Sequence, residues 1–432
     1  MTPPLTASAP LPDLVEESLD EALFLWKRWE ADLASLTRNL AAVVTWSEDR
    51  LQGALDGVRV SGHAIVRATS AALASSEPSR LSVVAHLLSA RSPPEARAAL
   101  AAALGAASGP RLWAMIRGVE VAVLDGTFTP VTAALANGGP ERAAALCRLK
   151  AFRRAQPGPE LARAFESGVP LLQVEALRAV ALSAEESLSR FIQLGLKSGE
   201  SSVRQAAISA GIRRGVAAAW DAAVALTHAR DPEAAAFIAL LAALGSAEEQ
   251  QMVLAGLRVP ALRQAALAAL GHIGTPEAVE ICLKGMQDPQ LARSAAEAYC
   301  TITGAELQRD HLLAPQSADA ESPPPLERDN LDADLVPPAH ELWPLPDVAA
   351  VGRHWERIKP GYQAGVRYLL GRRADPAVLM EAIESGPMLR RPEWIAELAA
   401  RTGGRYDVEP RAFAHVQRRM MSAARGALAH AR

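Results

Sequence analysis

The side chains able to do chemistry are few, and their spacing does not suit it. The stretch GLKSGESS, residues 195–202, holds a lysine among glycines and serines. A phosphate-binding loop needs the order G-x-x-x-x-G-K-[ST], in which backbone N–H groups and the lysine converge on the phosphates, and this stretch lacks it. There is no G-x-S-x-G turn to lift a serine nucleophile, no H-E-x-x-H pair to set two imidazoles on one helix face, and no C-x-x-C. His354, Trp355 and Glu356 are adjacent, so they cannot share one face of a helix as metal ligands would. His228 and His272 stand alone, while Cys147, Cys282 and Cys300 lie in apolar stretches where a thiol packs as a small hydrophobe. No catalytic group, metal or cofactor is expected, which leaves binding as the function class to pursue.

The elements that would position a binding surface are repeated. Four stretches align in phase: SSVRQAAISAGIRRG (201–215), DPEAAAFIALLAALG (231–245), VPALRQAALAALGHIG (259–274) and DPQLARSAAEAYCTITG (288–304). Their closing glycines Gly215, Gly245, Gly274 and Gly304 fall 30, 29 and 30 residues apart, with a second apolar segment in each interval. A fixed period of this size marks a solenoid of helix pairs. Pro232, Pro260 and Pro289 are expected at helix starts, where the missing N–H costs nothing. The alanine pairs 206/207, 235/236, 265/266 and 295/296 are expected where neighbouring helices approach closely. Less regular units begin at Pro140 and Pro170, and the array is expected over 80–308. The fold class is all-α, an α-solenoid with an N-terminal helical cap over 13–79 behind a disordered lead, 1–12.

The repeat pattern, best copied in VPALRQAALAALG, resembles the HEAT-like repeat, at a period nearer the short type of the phycobilisome-lyase-like repeats. The opening ALFLWKRWE with EDRLQGALDGVRVSG, and the later LPDVAAVGRHWERIKPGYQAGVRYLLGR and ESGPMLRRPEWIAELAA, resemble a family of bacterial HEAT-repeat proteins often encoded among type VI secretion components. The resemblance implies a stacked helical array and a secretion-system component as protein partner. It carries no catalytic residues.

Composition divides the rest. Residues 309–347 contain eight prolines and nine acidic residues against two arginines, which predicts a flexible acidic linker. Trp343 is the residue through which part of it would anchor to the array. The region 348–432 returns to helical patterning and is basic, with fifteen Arg and Lys against eight Asp and Glu from 349 onward. A net charge of −3 over 432 residues argues against a strongly basic footprint for the whole chain, so nucleic acid is not the expected ligand. No apolar run approaches the roughly 20 residues of a membrane span, and no secretory leader is legible, so the cytoplasm is the expected compartment.

The second helices of the repeats carry the more varied polar residues. Arg190, Gln193 and Lys197, then Asp221 and His228, then Glu248, Gln251 and Arg258, then Glu277, Glu280 and Lys284 form the candidate partner-binding face. The expected function is a non-enzymatic protein-binding scaffold. The alternative is a helical-repeat enzyme working in the groove, of DNA-glycosylase or chromophore-lyase type. The first is disfavoured because the repeats are not especially basic and Trp220 is the one tryptophan from 170 to 304, and the second because the repeat motif specifies stacking rather than pigment chemistry.

Overall fold

The computed structural model describes residues 12–60, 69, 72–89, 93–122, 129–183, 185–315 and 343–430. The expected disordered lead, up to residue 11, and the interior of the acidic segment, 316–342, lie outside them. Among the described residues the fold is all-α, with helices stacked in rows as a solenoid requires; strand pairing is limited to one two-residue hairpin and one isolated bridge. The chain forms two compact units, Met1–Ala222 with Ile383–Arg432, and Ala223–Ala382. The boundaries fall inside helices.

In the first unit α1 (Pro12–Asp32), α2 (Leu40–Val43) and α3 (Asp49–Val60) come before the row. Val15, Leu19, Ala22, Trp26 and Trp29 recur every three or four residues on α1, and all are buried, the tryptophans almost completely. The row itself is α4 (Pro78–Ser89), α6 (Gly109–Val121), α8 (Pro140–Phe152), α10 (Pro170–Ala181) and α12 (Ser201–Arg213), each packed on the next. Between them run the shorter α5 (Pro94–Ala106), α7 (Thr129–Ala136), α9 (Glu160–Ser167) and α11 (Ser189–Leu196), and α13 (Ala217–His228) follows. Pro140 and Pro170 stand at the first helical position, as a proline start should. Close approach is bought with small residues: Ala144, Ala176 and Ala207 are wholly buried. A methyl group on Gly118 would lie 2.8 Å from the backbone nitrogen of His86, so α4 and α6 can meet there only through glycine.

Arginines at the ends of two row helices tie each of them to the one before it. At the end of α8, Arg153 donates to the carbonyls of Val119 and Ala122 at the end of α6. Sixty-one residues on, Arg214 does the same for α10, donating to the oxygens of Val180 (3.2 Å), Ser183 and Glu185 (2.8 Å). A guanidinium satisfies the carbonyls a helix leaves bare at its C-terminus and also meets the negative end of its dipole. Arg214→Met keeps the aliphatic stem and removes these donors, so it should lower the unfolding free energy by about 1–2 kcal/mol in urea titration. An unchanged midpoint would show that water replaces the guanidinium there at no cost.

The second unit continues with α14 (Ile238–Leu244), α15 (Ala247–Ala255), α16 (Arg263–Ile273), α17 (Pro276–Gly285) and α18 (Ala292–Thr303); α14 packs on α16 and α16 on α18. Here the proline expectation needs correction. Pro232 opens a 3₁₀ turn, Pro232–Ala236, and the α-helices after Pro260 and Pro289 begin three residues later, at Arg263 and Ala292. The Asp231 and Asp288 carboxylates accept the N–H two residues on, at 2.8 and 2.9 Å, and close a tight turn before the helix can start. Ala235 and Ala236 therefore fall in that turn, with Ala236 exposed, whereas Ala266, Ala295 and Ala296 are buried as expected. Gly274 and Gly304 end α16 and α18 in the left-handed region, φ 70° and 71°, where a side chain would be strained.

Beyond α18 come α19 (Val348–Ile358), a hairpin of β1 (Tyr368–Leu369) and β2 (Arg372–Arg373), and α20 (Pro376–Ser385), in which the unit boundary lies. The two described flanks of the acidic segment are pinned to each other: the N–H of Ala314 donates to the oxygen of Leu345 (2.9 Å) and that of Asp347 to the oxygen of Leu312 (2.8 Å). Arg293 holds the carbonyl of Trp343 at 3.0 Å, so it is the Trp343 backbone that is tied to α18. The first unit is completed by α21 (Arg391–Arg401) and α22 (Ala414–His430).

Candidate binding surfaces

Across α6, α8 and α10 of the first unit runs a ladder of alternating charge. Arg117 lies 3.4 Å from Glu120, Arg148 reaches Glu120 at 2.8 Å and Glu175 at 3.9 Å, and Arg178 closes on Glu175 at 2.6 Å. Aromatic faces back it: the Arg148 guanidinium lies over Trp113 at 5.6 Å, and that of Arg117 lies over Trp29 at 5.2 Å and Phe152 at 5.9 Å. The Glu120 and Glu175 side chains are 1 % and 5 % exposed. Burial pushes the Glu175 carboxyl up from its ordinary value against the opposing pull of Arg178 and Arg148.

The C-terminal end of this row is not open. Residues 404–417 lie across it, anchored by buried Val408, Ala412, Phe413 and Ala414. Arg154 and Arg213 both pair with Asp407, and Arg117 donates to the carbonyl of Arg411 at 2.9 Å. At the start of α22 the buried Glu48 carboxylate accepts the N–H of Ala414 at 2.9 and 3.0 Å and the indole N–H of Trp29 at 3.3 Å. Burial raises the Glu48 carboxyl despite both hydrogen bonds. Further back, the amides of Met388 and Leu389 donate to Arg38 and Ser35. In this strongly basic region, a carboxylate makes the ion pairs with the row, while Arg418 and Arg419 stay exposed.

The second unit uses backbone for the same purpose. The amides of Tyr368, Leu370 and Gly371 donate to the carbonyls of Gly274, Thr301 and Ile302 at 2.8–2.9 Å, and Arg367 reaches Ala243 at 3.3 Å. A side chain on Gly304 would lie 2.7 Å from the oxygen of Leu370, so this docking and the left-handed cap both require glycine. The Glu280 carboxylate receives Lys359 (2.7 Å) and the indole of Trp355 (2.8 Å), and those two bonds hold its carboxyl below the ordinary range. Gly365 N lies 3.5 Å from Glu277. His354, paired in sequence with Glu356, instead shares a 2.6 Å hydrogen bond with Tyr299.

The residues picked from sequence therefore divide. Glu280 and Glu277 are engaged by the chain's own later residues. In the first unit Arg190, Gln193, Lys197 and Asp221 are exposed, as are His228, Glu248, Gln251, Arg258 and Lys284 in the second. The Arg190 guanidinium lies over Phe191 at 4.9 Å, and Leu194, 52 % exposed, sits near Arg190 and Gln193 on α11 and Lys197 at its C-cap. Sequence reading passed over the ladder because it took the row helices as packing elements. The signal was there: Arg117, Arg148 and Arg178 follow one another at 31 and 30 residues.

Among the described residues no group of three or more His, Cys, Asp and Glu is gathered as for a metal ion, and no helix is long and apolar enough to cross a membrane. All three cysteines are buried; burial pushes the Cys147 thiol up to about 12, well away from the reactive thiolate. No protein-family model matches the sequence, and no curated protein matches it. Among solved structures the chain is similar to one described as the crystal structure of an engineered protein, at 14 % sequence identity over 95 % of this chain and 92 % of that one. The TM-score is 0.25, too low to carry an argument.

Proposed function

We propose that this chain is a non-enzymatic, HEAT-like adaptor that holds a protein partner on the faces of its second helices. What supports this reading is the contrast between its surfaces. The carbonyl ends of the row helices are covered by the chain itself, whereas α11 and its C-cap present Arg190, Gln193 and Lys197 around an exposed leucine, with no side-chain ion pair of their own among the described residues. An apolar anchor ringed by adaptable polar groups is the composition of a protein interface rather than of a reaction centre. The resemblance to proteins encoded among type VI secretion components names the partner class to try first.

A photo-crosslinker at Gln193 in the native bacterium should capture a protein that, once purified, binds the chain directly by calorimetry. Leu194→Asp should weaken that binding at least tenfold (about 1.4 kcal/mol) and leave the melting curve in place, because Leu194 is a surface residue. Equal affinity of wild type and Leu194→Asp would rule out this face.

A further inference from the structure

The first turn of α21 carries two polar side chains with unmet donors. Arg391 and Trp394 are both fully buried, 0 % exposed. Arg391 Nε donates to the carbonyl of Ile383 in the last turn of α20, and Nη1 faces the sulfur of Met388 at 3.4 Å. Among the described residues its Nη2 has no hydrogen-bond partner, and neither has the indole nitrogen of Trp394. Residues three apart on a helix share a face, so both side chains leave the same side of the first turn.

The charge on Arg391 has no mate. Among the described residues no carboxylate pairs with it; its bonds go to one carbonyl and one thioether. Burial lowers the guanidinium to about 10, still well above neutral pH, so the positive charge persists. A carbonyl at a helix C-terminus offsets part of a buried cation, and a thioether offers almost nothing. The N-terminal end of α21 adds positive potential from the helix itself, and Glu393 in that turn is exposed. An anion would balance this arrangement, and the complete burial of both side chains limits its size. A carboxylate on a partner or a phosphate ester would need an opening to solvent.

We propose that the first turn of α21 holds a small monovalent anion of chloride size, bound by Arg391 Nη2 and Trp394 Nε1. Binding to the folded state alone stabilises it in proportion to the logarithm of anion concentration. The full chain should therefore melt about 2–4 °C higher in sodium chloride than in sodium gluconate at equal ionic strength, with a saturable dependence on chloride. Bromide soaked into crystals should give an anomalous peak against both residues. Arg391→Met should abolish the chloride response, and Trp394→Phe, which keeps most of the ring and loses the N–H, should weaken it. Should Arg391→Met fail to fold, Trp394→Phe and the bromide peak still decide. Identical melting in the two salts, a bromide-free site, or an undiminished chloride response in Trp394→Phe would overturn the assignment and leave internal water as the partner of both donors.

Discussion

Trp29→Ala should remove about 3–5 kcal/mol from the stability of the first unit, the range for deleting a large aromatic side chain from a packed interior. Trp29 is wholly buried and meets four groups, three of them from distant parts of the sequence. Trp26 packs edge-on at 5.4 Å, Phe413 lies at 4.6 Å, Arg117 sits over the ring at 5.2 Å, and Glu48 accepts the indole N–H at 3.3 Å. Truncation opens a cavity between α1 and the start of α22, and it takes one donor from a buried carboxylate. Trp46, 64 % exposed, provides the control, since Trp46→Ala should change stability by no more than about 0.5 kcal/mol. Chemical denaturation of both variants checks this; similar losses would mean that α22 is not held through Trp29.

Acidification should destabilise the same unit through His86. This imidazole is buried among Trp26 and Phe413, with ring centroids at 5.8 Å for each, and its Nε2 lies 2.8 Å from a nitrogen of Arg59. A guanidinium can only donate, so Nε2 accepts and the neutral ring carries its proton on Nδ1. Burial first, and Arg59 second, push the His86 pKa down to about 3. The unfolded imidazole protonates near 6.5, so between about 6.5 and 3 the unfolded chain binds more protons and stability falls as pH falls. At pH 4.5 the loss from this residue is about 2–3 kcal/mol. Glu48 acts in the opposite sense: its raised carboxyl makes the folded state the better proton acceptor above pH 4.5 and returns part of that loss. His86→Gln keeps an acceptor for Arg59 and cannot titrate. Urea unfolding at pH 7 and 4.5 should show the wild type losing about 2–3 kcal/mol more than His86→Gln, and equal losses would place the acid sensitivity elsewhere.

The parts of this fold that were legible in the sequence are those set by local spacing. The thirty-residue period, the buried alanines at 207, 266, 295 and 296, and the glycine stops at 274 and 304 all follow from one helix pair repeating. The helices after Pro260 and Pro289 start three residues later than the prolines predict, and beside Pro232 and Pro289 an aspartate side chain takes an N–H two residues on and closes a turn first. The exposed residues of α11 were readable because a polar side chain on a short amphipathic helix has few places to go. The ladder had a periodic signal in its arginines, but its cover had none. Arg117 meets Glu30 and Arg411, and Arg213 meets Asp407, across separations of 87, 294 and 194 residues, and pairing at such distance leaves no periodic trace in the sequence.

The first unit is assembled from both ends of the chain, Met1–Ala222 and Ile383–Arg432. On a ribosome that has consequences of timing. When Ala222 leaves the exit tunnel, roughly 200 residues remain to be made before α22 can meet Trp29 and Glu48, an interval of about 10–40 s at ~5–20 residues per second. Throughout that interval the ends of the row helices, the Arg154 and Arg213 guanidinium groups and the site that Phe413 will fill stay uncovered. A chain that stops before Asp407 leaves Arg154 and Arg213 without the carboxylate they pair with, open to other acidic chains.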